Sequence, residues 1–305
     1  MSSNLKLNRA KQAKKDEFYT QLSNIEEELQ HYTPHFRDKV VYCNCDDPRV
    51  SNFFFYFVRN FKRLGLKRLI ASGYIEGGRG VWGQYFGRGL EDIRVGRLGL
   101  NGDFRNRECI KILEKADIVV TNPPFSLFRE HFAQLIEYNK KFLIIGNLNA
   151  ITYVDFFPFI KDRRVTKGVR PRIGDMLYRV PNDYMQEGSA CKIIDGNYYT
   201  CSGNTTWFTN MKHGKYPGNL VLNNKYSSEE HPIYDNYDAI NVDKTASIPM
   251  DWGGVMGVPI SFLDKWNPDQ FEIIEMHDNS FINGKKLYKR LLIRNRNPVS
   301  PYFTM

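Results

Sequence analysis

The sequence predicts an α/β protein with a mainly parallel sheet, followed by a smaller module rich in loops. Helix and strand patterns alternate up to residue 146, as in parallel sheets covered by helices on both faces. One apolar strand runs directly into Asn122-Pro123-Pro124-Phe125, a position where such sheets bind ligands. After about residue 160 the alternation stops. We therefore expect a first domain over residues 1–212 and a second over residues 213–305.

The predicted elements of the first half follow from the spacing of apolar residues. From Phe18 to Tyr32 these residues are spaced by three and four, which places them on one face of a helix. Further helices are predicted over residues 49–64, 106–115 and 127–138. Apolar runs rich in Val and Ile predict buried strands over residues 39–45, 67–72, 117–121 and 141–146.

The remaining segments carry weaker patterns. Nine glycines within residues 77–102 predict a mobile surface loop, with a lid over a ligand as the alternative. Asp195-Gly196, between β-favouring residues, indicates a hairpin, and residues 207–209 form one more predicted strand. A helical period returns only at Pro268, so the second module is expected to consist largely of loops.

Composition restricts the class of protein. The chain has 305 residues, of which 42% are hydrophobic, enough for a sizeable core rather than a disordered chain. Lys and Arg number 43 against 34 Asp and Glu, a net charge of +9 that favours a polyanionic partner such as DNA, RNA or an anionic membrane. Because no apolar run approaches a span of about 20 residues, a membrane protein is not expected.

The cysteines point to a reducing compartment. Their number is odd, their spacings are irregular, and no Cys-x-x-Cys pair occurs among Cys43, Cys45, Cys109, Cys191 and Cys201. Such a set is typical of reduced thiols in the cytoplasm, and it gives no reason to expect a metal site. The basic N-terminal residues are followed by no apolar stretch, so a secretion signal is not expected either.

The motif after the third predicted strand suits the handling of an amino group. The amide oxygen of Asn122 and the carbonyl of Pro123 can both accept hydrogen bonds from an exocyclic amino group, which exposes its lone pair to an electrophile. The two prolines keep the backbone extended, and Phe125 offers a face on which a planar base can stack. A rigid turn without a ligand is the alternative interpretation.

Acidic side chains follow other predicted strands. Asn44, Asp46 and Asp47 come just after the first strand, and Asp103 precedes a helix. Carboxylates at strand ends can accept hydrogen bonds from ribose hydroxyls, an ammonium group or an adenine amino group. Helix capping by Asp47 and Asp103 is an equally good interpretation.

Several blocks of the sequence resemble the adenine-specific DNA methyltransferases of the EcoRI modification type. The blocks are residues 14–21, 43–52, 101–105 and 116–130, with further similarity at 235–242 and 256–265. The similarity covers most of the chain except about 75–100 and 162–230. The Asn-Pro-Pro-Phe motif is shared with RNA and protein-glutamine methyltransferases, whereas the blocks taken together are more specific.

This resemblance implies a fold, a cofactor and a set of residues. It implies the Rossmann-like sheet of class I methyltransferases, S-adenosylmethionine as the methyl donor, and a target-recognition module. It assigns Asn122, Pro123, Pro124 and Phe125 to the target adenine. The residues implied at the cofactor are Phe18, Tyr19, Thr20, Asn44, Asp46, Pro48, Asp103 and Phe104. The loop after the first strand departs from the usual glycine-rich form, so which of Asn44, Asp46 and Asp47 binds the cofactor stays open.

Two basic clusters are candidates for DNA contacts. The first, which we call the 161–172 cluster, has one acid and six basic residues: Lys161, Arg163, Arg164, Lys167, Arg170 and Arg172. Residues 285–296 hold six more and no acid. Either cluster can contact phosphates. A solvated charged surface is the alternative, and the first cluster is expected to form a loop because Gly168 and Pro171 oppose a long helix.

The predicted activity is methyl transfer to the N6 amino group of adenine in double-stranded DNA, after the base is flipped out. The enzyme is expected to be a cytoplasmic monomer, to belong to a restriction-modification system with an endonuclease for the same site, and to share the target GAATTC. The alternatives are an RNA adenine methyltransferase and a DNA-binding protein that has lost activity.

Overall fold

The structure is a computed structural model that describes residues 19–169, 177–180, 191–194, 197–201, 204–215 and 217–299. These residues group into two compact units. The first contains the described residues up to Ala150 together with Val165–His213, and the second contains Ile151–Arg164 together with those from Gly214 on. No helix in the described ranges is long and apolar enough to cross a membrane.

The first unit contains an eight-stranded sheet whose centre is parallel. Its strands are β2 (Val40–Cys43), β3 (Arg68–Gly73), β4 (Val81–Tyr85), β5 (Arg94–Arg97), β6 (Ile118–Thr121), β7 (Lys141–Asn147), β8 (Thr166–Lys167) and β12 (Thr205–Thr209). Its helices are α1 (Leu22–Leu29), α2 (Asn52–Leu64), α3 (Arg107–Lys115) and α4 (Phe128–Glu137). The predicted alternation of strands and helices is therefore confirmed.

The order of the strands sets the position of a ligand site. The sheet runs β5-β4-β3-β2-β6-β7-β12-β8, and β2 is parallel to both β3 and β6. The chain moves from β2 to β3 on one side and later returns to β6 on the other. Sheets of this kind bind ligands at such a switch point, outside the carboxyl ends of the strands.

A second sheet of the first unit is antiparallel. It has the order β1-β9-β11-β10, with β1 (Tyr19–Thr20), β9 (Leu177–Val180), β10 (Cys191–Ile194) and β11 (Asn197–Cys201). Ile194 pairs with Asn197, which confirms the predicted hairpin, although Asp195 and Gly196 lie outside the described residues. Because β1 is a strand, the first helix begins at Leu22 and not at Phe18 as its apolar spacing predicted.

Helix α2 shows how local sequence fixes an element next to the strand ends. Ser51 is its N-cap, and the Ser51 hydroxyl accepts hydrogen bonds from the amides of Phe53 and Phe54 at 3.1 and 3.4 Å. Gly65 ends the helix in the left-handed conformation, with φ of 65°. The apolar face of the helix is buried in the core between these two caps. The start of α2 is therefore firmly placed.

The glycine-rich segment is structured, and its prediction as a mobile loop was wrong. Strands β4 and β5 form an antiparallel extension of the sheet beside β3. The glycines permit close backbone contacts instead of motion. A side chain at Gly80 would lie 2.5 Å from the Cα of Gly102, and one at Gly102 would lie 2.2 Å from the carbonyl oxygen of Gly73.

The second unit contains a four-stranded sheet where loops were predicted. Its order is β13-β14-β18-β15, with β13 (Ile240–Asn241), β14 (Val255–Val258), β15 (Phe271–His277) and β18 (Arg290–Asn295). A two-stranded ribbon, β16 (Phe281–Ile282) and β17 (Lys285–Lys286), and the short helix α5 (Phe157–Lys161) complete it. Pro268 leads into the strand β15, so the helix predicted there is wrong.

Replacing Gly102 by Ala is expected to destabilise the first unit strongly. Gly102 has φ of +82°, and the added Cβ would also collide with the Gly73 carbonyl. Gly77→Ala is the matched control, because φ is +64° there and open space surrounds it. We expect a loss of about 1 kcal/mol for Gly77→Ala and about 2 to 4 kcal/mol for Gly102→Ala in urea unfolding. Equal losses would contradict the close packing of these loops.

Candidate active site

A cavity of about 660 Å³ lies at the carboxyl ends of the central strands. Its walls come from the segments that follow β2, β3 and β6, from the start of α2 and from residues 101–105. These segments are far apart in sequence, and the parallel strands bring them to one edge of the sheet. The cavity therefore lies at the switch point of the fold.

Most of the residues that were predicted to contact the target adenine or the cofactor line this cavity. They are Thr20, Asn44, Asp46, Asp103, Phe104, Asn122 and Pro124. Of the other described candidates, Pro123 is buried, Phe125 is half-buried against the core, and Pro48 packs against Gly83 of β4. Phe18 and the side chain of Tyr19 lie outside the described part of the chain.

Asn122 directly follows the last residue of β6, so the strand fixes its backbone. Its side-chain nitrogen donates a hydrogen bond to the hydroxyl oxygen of Thr20 at 3.3 Å. The backbone carbonyl of Thr20 in turn accepts from the Asn52 side chain at 2.8 Å. The orientation of the Asn122 amide is thereby defined within the cavity wall.

Asp46 is buried between two hydroxyl groups. One carboxylate oxygen accepts from Ser51 at 2.6 Å, and the other accepts from Thr121 at 2.5 Å. Burial raises the pKa of Asp46 to about 6, although the two hydroxyls oppose the shift. The side chain is therefore held by two elements at once, α2 and β6.

Asp47 and Asp103 occupy similar local structures. Each carboxylate receives side-chain hydrogen bonds from the Arg two residues later. Arg49 donates three to Asp47, at 2.9, 3.1 and 2.6 Å, and Arg105 donates two to Asp103, at 2.9 and 2.6 Å. The capping interpretation was wrong, because the N-cap positions of α2 and α3 belong to Ser51 and Asn106.

The arginines keep both carboxylates ionised. Burial opposes ionisation of Asp47, but its hydrogen bonds with Arg49 and the charge of that arginine lower the pKa below the usual value. Hydrogen bonding from Arg105 lowers the pKa of Asp103 in the same way, against the effect of burial. A carboxylate has about four acceptor positions, so each can accept further hydrogen bonds at the cavity.

His131 is a buried neighbour that the sequence analysis missed. It is fully buried on α4, and burial lowers its pKa to about 3, so the ring is neutral. Its Nε2 lies 3.0 Å from the Oδ1 of Asn44 and, as the donor, fixes that amide. The Phe104 ring packs edge-on against the His131 ring at 5.0 Å. No spacing in the sequence links His131 to Asn44, which is 87 residues away.

The cavity also gains a carboxylate at the end of β3. Glu76, three residues beyond Gly73, lines the cavity beside Tyr74 and Ile75, and it was not among the predicted site residues. In the described ranges no group of three or more His, Cys, Asp or Glu side chains is placed to hold a metal ion.

The 161–172 cluster is divided between the two units. Lys161, Arg163 and Arg164 belong to the second unit and Lys167 to the first, whereas Arg170 and Arg172 lie outside the described residues. Lys161 ends α5 and Lys167 lies in β8, so the predicted loop is wrong at these two residues, whereas Arg163 and Arg164 lie in the turn between them. Lys161 donates to the carbonyl of Ile274 at 2.7 Å.

Fold and cavity define a class of enzyme. A mainly parallel sheet with a cavity at its switch point is an architecture that binds nucleotide-like cofactors. The Asn-Pro-Pro-Phe segment at the edge of that cavity is typical of methyltransferases that act on amino groups. The protein is therefore an α/β methyltransferase by fold and site.

Comparisons with known proteins identify the family. A family model described as "Adenine-specific methyltransferase EcoRI" matches residues 6–299. The chain is 49% identical to the Type II methyltransferase M.EcoRI of Escherichia coli, over 97% of this chain and 98% of that protein. It is 35% identical to M.MpnI of Mycoplasma pneumoniae, over 96% and 98%. No solved structure matches the chain significantly.

The chain belongs to the EcoRI family of adenine-specific methyltransferases, and it is an adenine-specific DNA methyltransferase. The resemblance seen in the sequence blocks is thereby confirmed, as are the Rossmann-like fold and the enzyme class. The roles of individual residues remain predictions, and the geometry of the cavity makes these predictions more specific.

The raised pKa of Asp46 predicts a pH-dependent stability. An aspartate ionises near pH ~3.9 in the unfolded chain, but Asp46 ionises at about 6 in the folded protein. Folding therefore favours its protonated form, and the stabilisation present below about pH 4 is lost as the pH rises to about 6. In urea unfolding between pH 4 and 7, the wild type should lose on the order of 2 kcal/mol relative to Asp46→Asn. Parallel curves for the two proteins would contradict this.

Proposed function

We propose that this enzyme transfers a methyl group from S-adenosylmethionine to the N6 amino group of adenine in double-stranded DNA, after the adenine has left the base stack. The observation that carries the proposal is the position of Asn122 and Pro124 in the wall of the 660 Å³ cavity at the strand ends. Base flipping follows from the substrate, because an enzyme must take a base out of a duplex to reach its amino group in a pocket.

The residues of the cavity fit the proposed cofactor. Its volume of about 660 Å³ is within the range of small-molecule sites. The charged lining residues are Asp46, Asp47, Glu76, Asp103 and Arg105. This excess of carboxylates suits a ligand that carries a sulfonium and an ammonium group. Glu76 and Asp103 would accept from ribose hydroxyls, and Tyr74, Ile75 and Phe104 would contact the adenine ring.

The proposed assignment keeps most of the predicted cofactor residues and adds one. Asn44, Asp103 and Phe104 would contact the cofactor, with Glu76 as the addition, and Phe18 and Tyr19 keep the assignment that the resemblance implies. Thr20 and Asp46 line the same cavity. Pro48 would act only indirectly, by packing the loop after β2 against Gly83.

The mechanism relies on positioning. When bound, S-adenosylmethionine supplies an electrophilic methyl group. The Asn122 side-chain oxygen and the Pro123 carbonyl would accept from the two hydrogens of the adenine amino group, so that its lone pair faces this methyl group. The amino nitrogen is the nucleophile, and its proton would leave to water after transfer. Alignment of two reactants in this way contributes several kcal/mol to catalysis.

The second unit is the proposed target-recognition module. Its exposed cations include Arg163 and Arg164 after α5, and Lys285 and Lys286 on the β16–β17 ribbon. The Asp235 carboxylate accepts from both amides at the tip of this ribbon, Asn283 at 3.0 Å and Gly284 at 2.8 Å. A two-stranded ribbon can enter the major groove of DNA, so a rigid basic ribbon is a suitable contact element.

Other residues of the 285–296 cluster have structural partners. Arg290 donates to Asn241 at 3.1 Å and to Asp243 at 3.0 Å, and Arg296 donates to the carbonyl of Pro268 at 3.0 Å. These arginines connect strands of the module. The proposed phosphate contacts are the exposed cations of the ribbon and those after α5, of which Lys286 also donates to Asn279 at 2.7 Å.

The target sequence and the biological context extend this proposal. The similarity to M.EcoRI supports GAATTC as the target. An endonuclease that cuts the same sequence would complete a restriction-modification system. The enzyme would act as a monomer in the cytoplasm, because its substrate is the cellular DNA and one cavity serves one flipped adenine.

Incubation of the enzyme with methyl-labelled S-adenosylmethionine and a GAATTC duplex tests the activity. We expect labelled N6-methyladenine after digestion of the DNA to nucleosides, and no label in a duplex without GAATTC. Label that appears only with an RNA of the same sequence would favour the RNA methyltransferase. Cofactor binding without transfer to either would favour the inactive DNA-binding protein.

Asn122→Ala should reduce the single-turnover rate by about 100-fold or more, because it removes one preorganised acceptor of the adenine amino group. Cofactor affinity, measured by calorimetry, should change by less than about threefold, since the amide acts on the target base. Asn60→Ala in α2 is the control, because it removes the same side chain from the far half of that helix. A rate within about tenfold of wild type would refute the role of Asn122.

Replacing Arg163 and Arg164 by Ala should weaken binding to any DNA sequence and lower the log–log salt slope by about 1.8, if each neutralises one phosphate. Lys111→Ala with Lys115→Ala removes the same charge from the exposed surface of α3 and should leave the slope unchanged. The measurement is a titration of labelled GAATTC and scrambled duplexes over a salt series. A larger loss with GAATTC alone would indicate base contacts instead.

A further inference from the structure

Six residues connect the start of α2 to the end of β6 through two chains of hydrogen bonds. In one chain, Ser51 donates to Asp46 at 2.6 Å, and Thr121 donates to the same carboxylate at 2.5 Å. In the other chain, Asn52 donates to the carbonyl of Thr20 at 2.8 Å, and Asn122 donates to the Thr20 hydroxyl at 3.3 Å.

The two chains form a closed ring, because each begins and ends at neighbouring residues. Ser51 and Asn52 are adjacent at the start of α2, and Thr121 and Asn122 are adjacent at the end of β6. The adenine-binding amide of the proposed function is therefore held through its own side chain and through the residue before it.

We propose that this ring is a device that positions Asn122, and that Asp46 and Thr20 are positioning residues within it rather than ligands of the cofactor. This inference rests on the proposed function for the role of Asn122. It revises the assignment that the sequence resemblance implies for Asp46 and Thr20.

The burial of the ring members supports a structural bridge. Thr121 is 0% exposed, Ser51 and Thr20 are each 4% exposed, and Asp46 is 9% exposed. Both carboxylate oxygens of Asp46 already accept from hydroxyls that are part of the protein. Asn44 and Asp103 line the same cavity without taking part in this ring, and they are among the polar cofactor contacts of the proposed function.

The chemistry of the bridge also suits its position. A carboxylate is a strong acceptor of two hydroxyl hydrogen bonds, and charged hydrogen bonds are shorter and stronger than neutral ones. Ser51 takes part twice, because its oxygen also accepts from the amides that begin α2. Displacement of α2 or of β6 would therefore be transmitted to the loop that carries Asn122.

Thr121→Val is the decisive variant, because Thr121 does not belong to the cavity lining and valine has nearly the same shape. It removes one hydroxyl of the ring and touches neither the cofactor nor the base. We expect the single-turnover rate to fall roughly 10- to 100-fold, as for a small misplacement of a catalytic group. Cofactor affinity by calorimetry should stay within about twofold, since no cofactor contact is lost.

Thr121→Ser keeps the hydroxyl and should restore the rate to within about threefold of wild type, which loss of packing alone would not do. A second measurement does not depend on activity. In protein labelled with 15N-asparagine, the side-chain signal of Asn122, assigned by its loss in Asn122→Ala, should shift in Thr121→Val and in Thr20→Val. It should stay unchanged in Thr121→Ser.

The outcomes separate this inference from the proposed function. A wild-type enzyme that fails to methylate adenine in any duplex would refute the function, while the Asn122 signal would still decide whether the ring holds that side chain. An unshifted Asn122 signal in Thr121→Val, or a rate of this variant within about threefold of wild type, would contradict the proposal that the ring positions Asn122. If Thr121→Val lost as much cofactor affinity as rate, Asp46 would be assigned as a ligand of the cofactor instead.

Discussion

The parallel pairing of β2 with β6 is the contact on which the site depends. Tyr42 lies opposite Val119 in this register, so the loops after the two strands leave the sheet at the same edge. This pairing brings Asp46 within 2.5 Å of Thr121, although the two residues are 75 positions apart in the chain. Because both strands are buried in the centre of the sheet, the core fixes the distance between the loop after β2 and Asn122.

Two polar side chains near the strand ends are buried together with hydrogen-bond partners. Asp46 has two hydroxyl donors, and Asn44 has the neutral ring of His131. An ionised carboxylate is costly to bury, which is why the pKa of Asp46 is raised to about 6. The same burial that reduces stability at neutral pH holds the side chain in one orientation. Part of the stability of the fold is therefore lost where the side chains of the site are held in a fixed geometry.

Sequence patterns predicted the central helices and strands of the first unit but not their contacts. Long apolar periods predicted α2, α4, β6 and β7 correctly, because burial of one face determines such segments. The glycine-rich segment was wrongly predicted as a loop, since composition does not distinguish mobility from the close approach of Gly80 and Gly102. The partners His131 and Thr121 depend on strand order, which no local pattern contains. One missed signal was local, namely the Asp-x-Arg spacing that Asp47 and Asp103 share.

The chain as a whole is positively charged and its cavity is negatively charged. These opposite charges suit two different ligands. The chain carries a net charge of +9, whereas the cavity lining holds four carboxylates and one arginine. Arg49 and Arg105 keep two of these carboxylates ionised without neutralising the whole site. A negative cavity attracts a cationic methyl donor and repels phosphates, while the basic surface attracts DNA. In the proposed function, the charge of the cavity would keep phosphates out and admit an uncharged base beside Asn122.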